Sequence, residues 1–303
     1  MSSRPSLFRA AAWIIAKAGP LRPVLRGGAR AAYGLLHTLT GGTIPNPLSF
    51  DDLVVYHHND AIFAPMLATG GFEAETTRLL RDVLEPGMTV LDVGANIGVM
   101  SLIAARAVGE TGSVHAFEPG PTIVPTLQRN VEANGFAGRI LVHALAVGAK
   151  PGTVQIHVAP TGDALASIYA EAAESGGGTS VATAVPLTSL DAWGEEHRWP
   201  LVDLIKIDVE GAEISVLEGM RELCNRSGAS KLIVEFNIRT LRIAEKTPQD
   251  LFAALDACGF RWIKIVDYGL ESFDPRTDLP RLLRRIAGAN VEGVNFYCER
   301  ATP

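Results

Sequence analysis

The sequence predicts an α/β chain built on a doubly wound, mostly parallel sheet with an antiparallel last strand and a helical N-terminal extension. Three observations carry this. From residue 73 onward, short apolar runs of strand character alternate with runs of helical period, and such alternation winds helices over both faces of a parallel sheet. The run Val90-Leu91-Asp92-Val93-Gly94-Ala95-Asn96-Ile97-Gly98 reads as a buried strand feeding a helix through a glycine turn. Beyond it, Gly112 to Pro119 reads as a second strand ending on an acid, Glu118, twenty residues after Gly98. Open α/β sheets bind ligands outside the carboxyl ends of their strands, so the turn and the acid mark the same edge.

The elements follow in order. Residues 1–50 form a basic extension, and residues 51–303 form one domain with a β-rich insertion at 151–187 and a second insertion at 268–293. After Pro45 and Pro47, Leu53 to His57 and Ala61 to Leu67 read as short strands. Residues 73–84 make a helix with Leu79, Leu80, Val83 and Leu84 apolar, stopped by Glu85-Pro86-Gly87. Strand 88–93, helix 97–108, strand 113–118, helix 121–134 and strand 140–147 come next. The insertion holds two β-rich pieces around Gly176-Gly177-Gly178. The alternation resumes with strand 202–209, helix 211–220, strand 231–236, helix 248–258 and strand 261–266. An irregular excursion with Asp274-Pro275, a basic helix at 279–287 and a strand at 294–299 close the chain.

With 303 residues, 47% of them hydrophobic, the chain can bury the core of one large domain. Cys224, Cys258 and Cys298 form no C-x-x-C pair, which fits a reducing compartment and gives no hint of zinc. The net charge of −6 lends nothing to a nucleic-acid partner. The first fifty residues carry Arg4, Arg9, Lys17, Arg22, Arg26 and Arg30 and no acid, leaving 21 basic against 33 acidic residues in the remainder. No run approaches the roughly 18 apolar residues that span a bilayer, and Lys17 and Pro20 interrupt any signal peptide. Trp13, Ile14, Leu21, Val24 and Leu25 among arginines fit an interfacial amphipathic helix, and more readily a basic helix packed on the acidic body or a poorly ordered tail. The expected location is cytoplasmic, with peripheral contact at the inner face of a membrane through residues 1–30.

The glycine turn has the spacing G-x-x-x-G, with Asn96 where a pyrophosphate-binding turn carries its second glycine. Asp92 would repel a pyrophosphate. A cationic ligand suits the turn better, and S-adenosylmethionine carries a sulfonium and an ammonium, has no phosphate, and offers its carboxylate to free N–H groups at a helix start. Glu118 is then placed to accept from both ribose hydroxyls.

The second constellation is Asp203-Leu204-Ile205-Lys206-Ile207-Asp208-Val209-Glu210-Gly211-Ala212-Glu213. A two-residue period puts Lys206, Asp208 and Glu210 on one side of a strand and Ile205, Ile207 and Val209 on the other. Charges in a central strand are costly unless paired or used. Either Lys206 and an acid neutralise one another as a brace, or Asp208 and Glu210 face the reactive end of the ligand with Lys206 orienting them. Glu213, in the first helical turn, suits a cap. Glu235 and Asn237 share a face at the end of the next strand, and Asp208, Glu235 and Asn237 offer an alternative metal triad. Without metal, Glu235 hydrogen-bonds within the site and Asn237 turns the loop. His57 and His58 have no partner at a diagnostic spacing, and no G-x-S-x-G, H-E-x-x-H or P-loop is present.

These blocks resemble the FkbM-type methyltransferases, S-adenosylmethionine-dependent enzymes of the Rossmann-like class I fold. The resemblance spans about residues 68–240 and rests on Gly71-Phe72-Glu73, Leu91 to Gly98, Ala116-Phe117-Glu118-Pro119, the Asn130 to Gly135 helix end, Lys206 to Glu213, and Val234-Glu235-Phe236. It implies O-methylation of a sugar, polyketide or other hydroxylated small molecule or glycan. The expected cofactor contacts are Glu73, Asp92, Gly94, Asn96, Gly98 and Glu118, with adenine contacts from the His143 to Ala146 loop. The expected catalytic residues are Asp208, Lys206 and Glu210, Asp208 foremost as base. The resemblance does not extend to residues 1–50 and 268–293, and acceptor specificity is expected to lie partly there. Two other readings stay open: a non-catalytic adenosyl-binding module recruited by its basic N-terminus, and an NAD-dependent oxidoreductase, against which Asn96 and the lack of a Tyr-x-x-x-Lys pair argue.

Overall fold

The computed structural model describes residues 46–58, 66–67, 72–158, 166–174, 179–289 and 291–300. Residues 1–45 of the basic extension, including the proposed membrane contact at 1–30, and the Gly176-Gly178 loop lie outside the described residues; the end of the expected extension, Leu48–Phe50, is a strand. The chain packs as two units, Met1–Ala74 and Glu75–Pro303.

In the first unit β1 (Leu48–Phe50) and β2 (Leu53–Val55) pair antiparallel. Asp51 and Asp52 take left-handed conformations, with φ 54° and 59°, in the turn between them, as short polar side chains tolerate. Phe50 meets Phe72 edge-on, with ring centroids 6.3 Å apart. His57 is structural: its backbone N–H donates to Asn46 Oδ1 at 3.2 Å, and its ring Nδ1 bonds His58 O at 2.9 Å. Of the strand expected at Ala61 to Leu67, Met66 and Leu67 are described, and they are helical.

The second unit starts with α1 (Ala74–Val83) and builds an eight-stranded sheet in the order β12-β11-β13-β10-β9-β3-β4-β5. Its strands are β3 (Thr89–Val93), β4 (Ser113–Phe117), β5 (Ile140–His143), β9 (Leu204–Ile207), β10 (Lys231–Asn237), β11 (Phe260–Ile265), β12 (Glu271–Phe273) and β13 (Gly293–Arg300). β5, β4, β3, β9 and β10 run parallel. β13 runs antiparallel between β10 and β11. A parallel sheet with one late antiparallel strand inserted beside its fifth strand is the class I methyltransferase arrangement, so the expected fold is observed. The chain moves outward from β3 to β4 and β5, then returns to lay β9 on the other side of β3. The carboxyl ends of β3 and β9 therefore diverge at a switch point, where such sheets bind ligands.

The two faces of the sheet differ sharply. Leu91, Val93, Phe117, Ile205, Ile207, Leu232, Val234, Phe236, Val294, Phe296 and Cys298 belong to one buried cluster. That cluster is covered by α5 (Leu190–Glu196), α6 (Glu213–Glu218), α7 (Arg221–Arg226) and α9 (Pro248–Ala257), which contribute Trp193, Leu217, Leu223 and Leu251 to it. By strand alternation the opposite face takes Asp92, Lys206, Glu235 and Asn295. Helix α9 opens on a capping box, with Thr247 and Asp250 bonding reciprocally and Pro248 in the first turn.

Several expected boundaries change. The strand expected at 140–147 splits into β5 and β6 (Ala146–Val147), because β6 leaves the main sheet to pair with β8 (Val181–Thr188). With β7 (Gly152–Val158), these make a separate three-stranded sheet from the 151–187 insertion. The strand expected at 202–209 ends at Ile207, and the helix expected at 211–220 is two short ones, α6 and α7. The excursion after residue 266 contains β12, which pairs antiparallel with β11, before α10 (Leu279–Ala289).

Candidate functional site

The turn after β3 leads into α2 (Val99–Val108). Gly94 has φ 83° and Gly98 φ 89°, a region that costs other residues about 1–2 kcal/mol. Space demands glycine too: a Cβ on Gly94 would collide with the Asp208 carbonyl, and one on Gly98 with the Leu127 side chain. Gly94 is thus where the ends of β3 and β9 nearly touch, and Asp208 N donates to Val93 O at 3.0 Å there. Asn96, with φ 51°, is eased into the left-handed region by its own side chain, whose Oδ1 accepts from Ile97 N at 2.6 Å.

Glu118 binds this turn to the next strand. Its carboxylate accepts from Asn96 N at 2.9 Å and from Gly120 N at 2.7 Å, and the residue is 4% exposed. Gly94 N and Ala95 N both donate to Phe117 O at 3.0 Å, and Gly98 N donates to Ala95 O at 2.9 Å. The N–H groups of Gly94, Asn96 and Gly98 are therefore spent inside the fold. These residues shape the turn through backbone conformation, and the side chains that can face a ligand here are the carboxylates of Glu118 and Asp92.

Asp92 lies within β3, one residue short of its end, and is 2% exposed. Ser101 Oγ donates to its Oδ2 at 2.5 Å, while Oδ1 is buried without a hydrogen-bond partner. Burial raises its pKa and the nearby Lys206 ammonium opposes that rise. Lys206, the register partner of Asp92, is 3% exposed and pairs with Asp208 Oδ2 at 2.9 Å. Both readings of Lys206 are thereby present in one place, since it braces two carboxylates and orients one of them at the switch point.

Of the three residues expected on one strand only Lys206 is on it: β9 ends at Ile207, Asp208 is the first residue beyond, and Glu210 has left the sheet. It sits in the turn beyond β9 at φ 53°, followed by Gly211 at φ 112°. Glu213 holds that turn: its carboxylate accepts from Val209 N and Gly211 N, each at 3.1 Å. The insertion docks on the same turn. Ser167 Oγ donates to Glu210 O at 2.7 Å and accepts from Tyr169 N at 3.1 Å, and the Tyr169 ring lies where a Gly211 Cβ would come within 3.2 Å of it. Burial, then the charges of Asp208 and Glu213, push the Glu210 carboxyl up to about 8.

Glu235 follows Val234, the register partner of Ile207, which sets it beside Asp208. Its Oε1 accepts from Asn237 Nδ2 at 3.3 Å, and its Oε2 is buried without a partner. Burial foremost, then Glu210, Asp208 and Glu213, hold its pKa well above the ordinary carboxyl range. Asn237 caps α8 (Ile238–Ile243): its Oδ1 accepts from Arg239 N at 3.0 Å and Thr240 N at 3.3 Å. With that oxygen spent on a helix start, the alternative metal triad of Asp208, Glu235 and Asn237 is not assembled. Among the described residues no group of three or more His, Cys, Asp or Glu side chains is arranged to hold a metal.

Glu73 belongs to the first unit, where it takes φ 35°. At the expected adenine loop, His143 O accepts from Glu118 N at 3.0 Å and the His143 ring stacks on Phe117 at 4.6 Å. His143 also meets His115, Nε2 to Nδ1 at 3.0 Å, in a cluster with Trp193 and His197. Burial foremost, then His143 and His197, lower His115 to about 4. Ser167, Tyr169, Asn295, His115 and His197 were not singled out from sequence, and no local signal marks them: each reaches its place through a contact between distant segments.

The match to known proteins falls on these same elements. Residues 92–262 match the family model described as the methyltransferase FkbM domain. Methyltransferase 1 of Beauveria bassiana is 30% identical over 146 residues, covering 43% of this chain and 57% of that protein. The 31-O-demethyl-FK506 methyltransferase FkbM of Streptomyces tacrolimicus is 32% identical over 164 residues, covering 46% of this chain and 62% of that protein. The hexuronic acid methyltransferase AglP of Haloferax volcanii is 27% identical over 148 residues, covering 49% and 56%. The chain thus spans between half and two thirds of the length of these relatives.

Proposed function

The chain belongs to the FkbM methyltransferase family, and from that premise we propose that it transfers a methyl group from S-adenosylmethionine to a hydroxyl oxygen of a small polyhydroxylated molecule or glycan. The observation that carries this reading is the meeting of two motifs at one switch point: the Gly94-Gly98 turn bound to Glu118 on one side, and Lys206, Asp208 and Glu210 at the end of β9 on the other. The donor set suits an adenosyl ligand. The turn presents carboxylate acceptors, with Asp92 Oδ1 buried and unpartnered, and keeps its N–H groups for itself. Hydroxyl and ammonium donors match that supply, and a pyrophosphate does not.

S-adenosylmethionine, when bound, supplies an electrophilic methyl. The protein's part is positioning, worth about 7–11 kcal/mol when two reactants are held in line, and removal of the hydroxyl proton by a carboxylate, worth about 10²–10⁴-fold. Asp208 and Glu210 are the proposed acceptors of that proton, with Lys206 fixing Asp208. Glu118 holds the ribose, and Asp92, Gly94, Asn96 and Gly98 surround the methionine portion. A hydroxylated acceptor is supported by the Asp208 carboxylate held at the switch point by Lys206 and by two relatives, one that acts on demethyl-FK506 and one on a hexuronic acid.

The test is calorimetric titration with S-adenosylmethionine, S-adenosylhomocysteine and NAD, followed by measurement of S-adenosylhomocysteine release over a panel of methyl glycosides, uronic acids and polyols. Micromolar binding of both adenosyl ligands, no binding of NAD and release with a hydroxylated acceptor are expected. Binding of NAD, or of none of the three, overturns the reading, and adenosyl binding with no release across the panel favours a non-catalytic module.

A further inference from the structure

The insertion reaches the switch point through one short segment. β7 and β8 pair with each other, and β8 with β6, in a small sheet whose apolar cluster holds Ala146, Ile156 and Val185. Between β7 and β8 the chain turns back on itself, and His157 and Ser167 exchange backbone bonds, His157 N to Ser167 O at 2.7 Å and Ser167 N to His157 O at 3.1 Å. The Ser167 backbone is therefore fixed to the insertion's own sheet. Two residues on, α4 (Ala170–Ala173) packs on β7 and α8, with Ala172 and Ala173 buried.

The Ser167 side chain points the other way, to the turn beyond β9. Its hydroxyl is used in both directions, donating to Glu210 O at 2.7 Å and accepting from Tyr169 N at 3.1 Å, and the residue is 3% exposed. Glu210 O and Gly211 N are the two polar ends of one peptide unit. The N–H end of that unit donates to both oxygens of Glu213 at 3.1 Å. A trans peptide is planar, so a donor on its carbonyl and an acceptor on its N–H fix the orientation of the whole plane. The backbone on either side is unusual, with φ 53° at Glu210 and 112° at Gly211, and such conformations persist where their surroundings over-determine them. Gly211 is also wedged: a Cβ there would come within 3.2 Å of the Tyr169 ring and 3.4 Å of Thr240 of α8. Four bonds thus hold the turn. Asp208 N donates to Val93 O, Val209 N and Gly211 N donate to Glu213, and Glu210 O accepts from Ser167. The first three come from the turn's own neighbours in the domain, and the fourth comes from the insertion.

We propose that Ser167 is a positioning residue for methyl transfer: its hydroxyl, backed by the Tyr169 ring, locks the Glu210–Gly211 peptide and so holds the turn that carries Asp208 and Glu210 in the geometry that meets the acceptor. This rests on the methyl-transfer reading and deepens it, by making the β-rich insertion part of the transfer site. Ser167 touches neither reactant and acts through the backbone. Without its hydroxyl the peptide is held at the N–H end alone and is free to rotate, which redirects the side chain of Glu210 and loosens the chain back to Asp208. The cofactor turn is untouched, since Gly94, Asn96 and Glu118 are bonded to one another and to Phe117 on the other side of the switch point. Loss of Ser167 Oγ is therefore expected in turnover and not in cofactor affinity.

Steady-state methyl transfer by the full chain tests this, with S-adenosylhomocysteine release measured over methyl glycosides and polyols, cofactor affinity by calorimetry and folding by thermal melting. Ser167→Ala is expected to lower kcat about 10–100-fold while the Kd for S-adenosylhomocysteine stays within about twofold. Ser167→Thr, which keeps the hydroxyl, should recover most of kcat. Ser180→Ala removes a 2.8 Å hydrogen bond to Glu174 elsewhere in the insertion and should leave kcat unchanged. Wild-type kcat in Ser167→Ala overturns the proposal. So does a loss shared by Ser180→Ala, a loss that a folded Thr variant does not recover, or cofactor affinity that falls in step with kcat. If the Ala variant does not fold, Ser167→Cys replaces it, being close in size with a weak donor; an intermediate kcat supports the role and a wild-type kcat overturns it. Absence of release by the wild-type protein with every acceptor sinks the methyl-transfer reading itself, a result distinct from any difference among the variants.

Discussion

Replacing Lys206 by Met keeps the length and most of the volume of the side chain and deletes the charge that Asp92 and Asp208 share. Lys206 is 3% exposed and Asp92 2%, so the Asp92 carboxylate left behind is not rescued by bulk water, whereas the Asp208 side chain, 24% exposed, keeps part of its hydration. Removing one partner of a buried ion pair costs about 3–5 kcal/mol, which for a chain of this size lowers Tm by about 6–15 °C. The penalty carries a pH signature. Burial already raises the Asp92 pKa against the pull of the Lys206 ammonium, so without that ammonium Asp92 stands further above its unfolded value, the folded state binds more protons across that window and its stability falls as pH rises through it. The deficit against wild type should be small near pH 4 and grow toward neutrality. Urea denaturation of both proteins from pH 4.5 to 8, with the double variant Lys206→Met/Asp208→Asn, measures this. The double variant should recover part of the loss at pH 7.5, because one of the two stranded charges is gone. A deficit below about 1 kcal/mol at pH 7.5, or one independent of pH, would show that the row is solvated and its charges independent.

Four further outcomes follow from the same geometry. Glu118→Gln sets an amide against one of two backbone N–H groups now held at 2.9 Å and 2.7 Å; a loss of about 1–3 kcal/mol and weaker S-adenosylhomocysteine binding are expected by denaturation and calorimetry, and unchanged affinity would remove Glu118 from the adenosyl site. Gly94→Ala meets the Asp208 carbonyl at φ 83° and should cost at least the roughly 1–2 kcal/mol of the left-handed region; a neutral effect in a melting assay would mean the two strand ends can part freely. Glu210 has its carboxyl at about 8 against 4.5, so the stability it withholds grows as pH rises from 4.5 to 8, and Glu210→Gln should flatten that decline by on the order of a few kcal/mol; parallel pH profiles of the two proteins contradict this. His115 sits at about 4 against 6.5, a folded value below the unfolded one, so stability is lost as pH falls from 6.5 toward 4, by up to about 3 kcal/mol; His115→Phe should blunt that acid loss, and an unchanged acid limb would show His115 protonating freely in the folded state.

Much of the site was legible because its parts are local. Gly94, Asn96 and Gly98 announce a tight strand-to-helix turn by residue type and spacing, and alternation placed Lys206 and Asp208 on one side of a central strand. Glu213 was legible as a cap because helix starts demand acceptors. The end of that same strand was not legible: Glu210 continues the alternation in sequence, yet the chain leaves the sheet after Ile207 because the turn is pinned by Glu213 and by Ser167 from a segment 43 residues away. Asn237 looked like a metal ligand beside Glu235 until α8 claimed its oxygen. The split between β5 and β6 was hidden for a similar reason, since an apolar run does not say which of two sheets will pair with it.

The sequence by itself determined the α/β class, the parallel order of alternation, the antiparallel last strand, and the two motif blocks with their ligand sign, because periodicity, glycine conformation and charge act within a few residues of one another. Only the tertiary structure decided which carboxyls are answered and which are stranded. Asp92 lies beside Lys206, Lys206 pairs with Asp208, and Asp92 and Glu235 are each left with one buried oxygen unpartnered. That outcome depends on the register between β3, β9, β10 and β13, on the insertion closing over Gly211, and on how much water each charge loses. Desolvation is a property of the packed assembly, so the protonation of the site, and with it the choice of base, belongs to the fold.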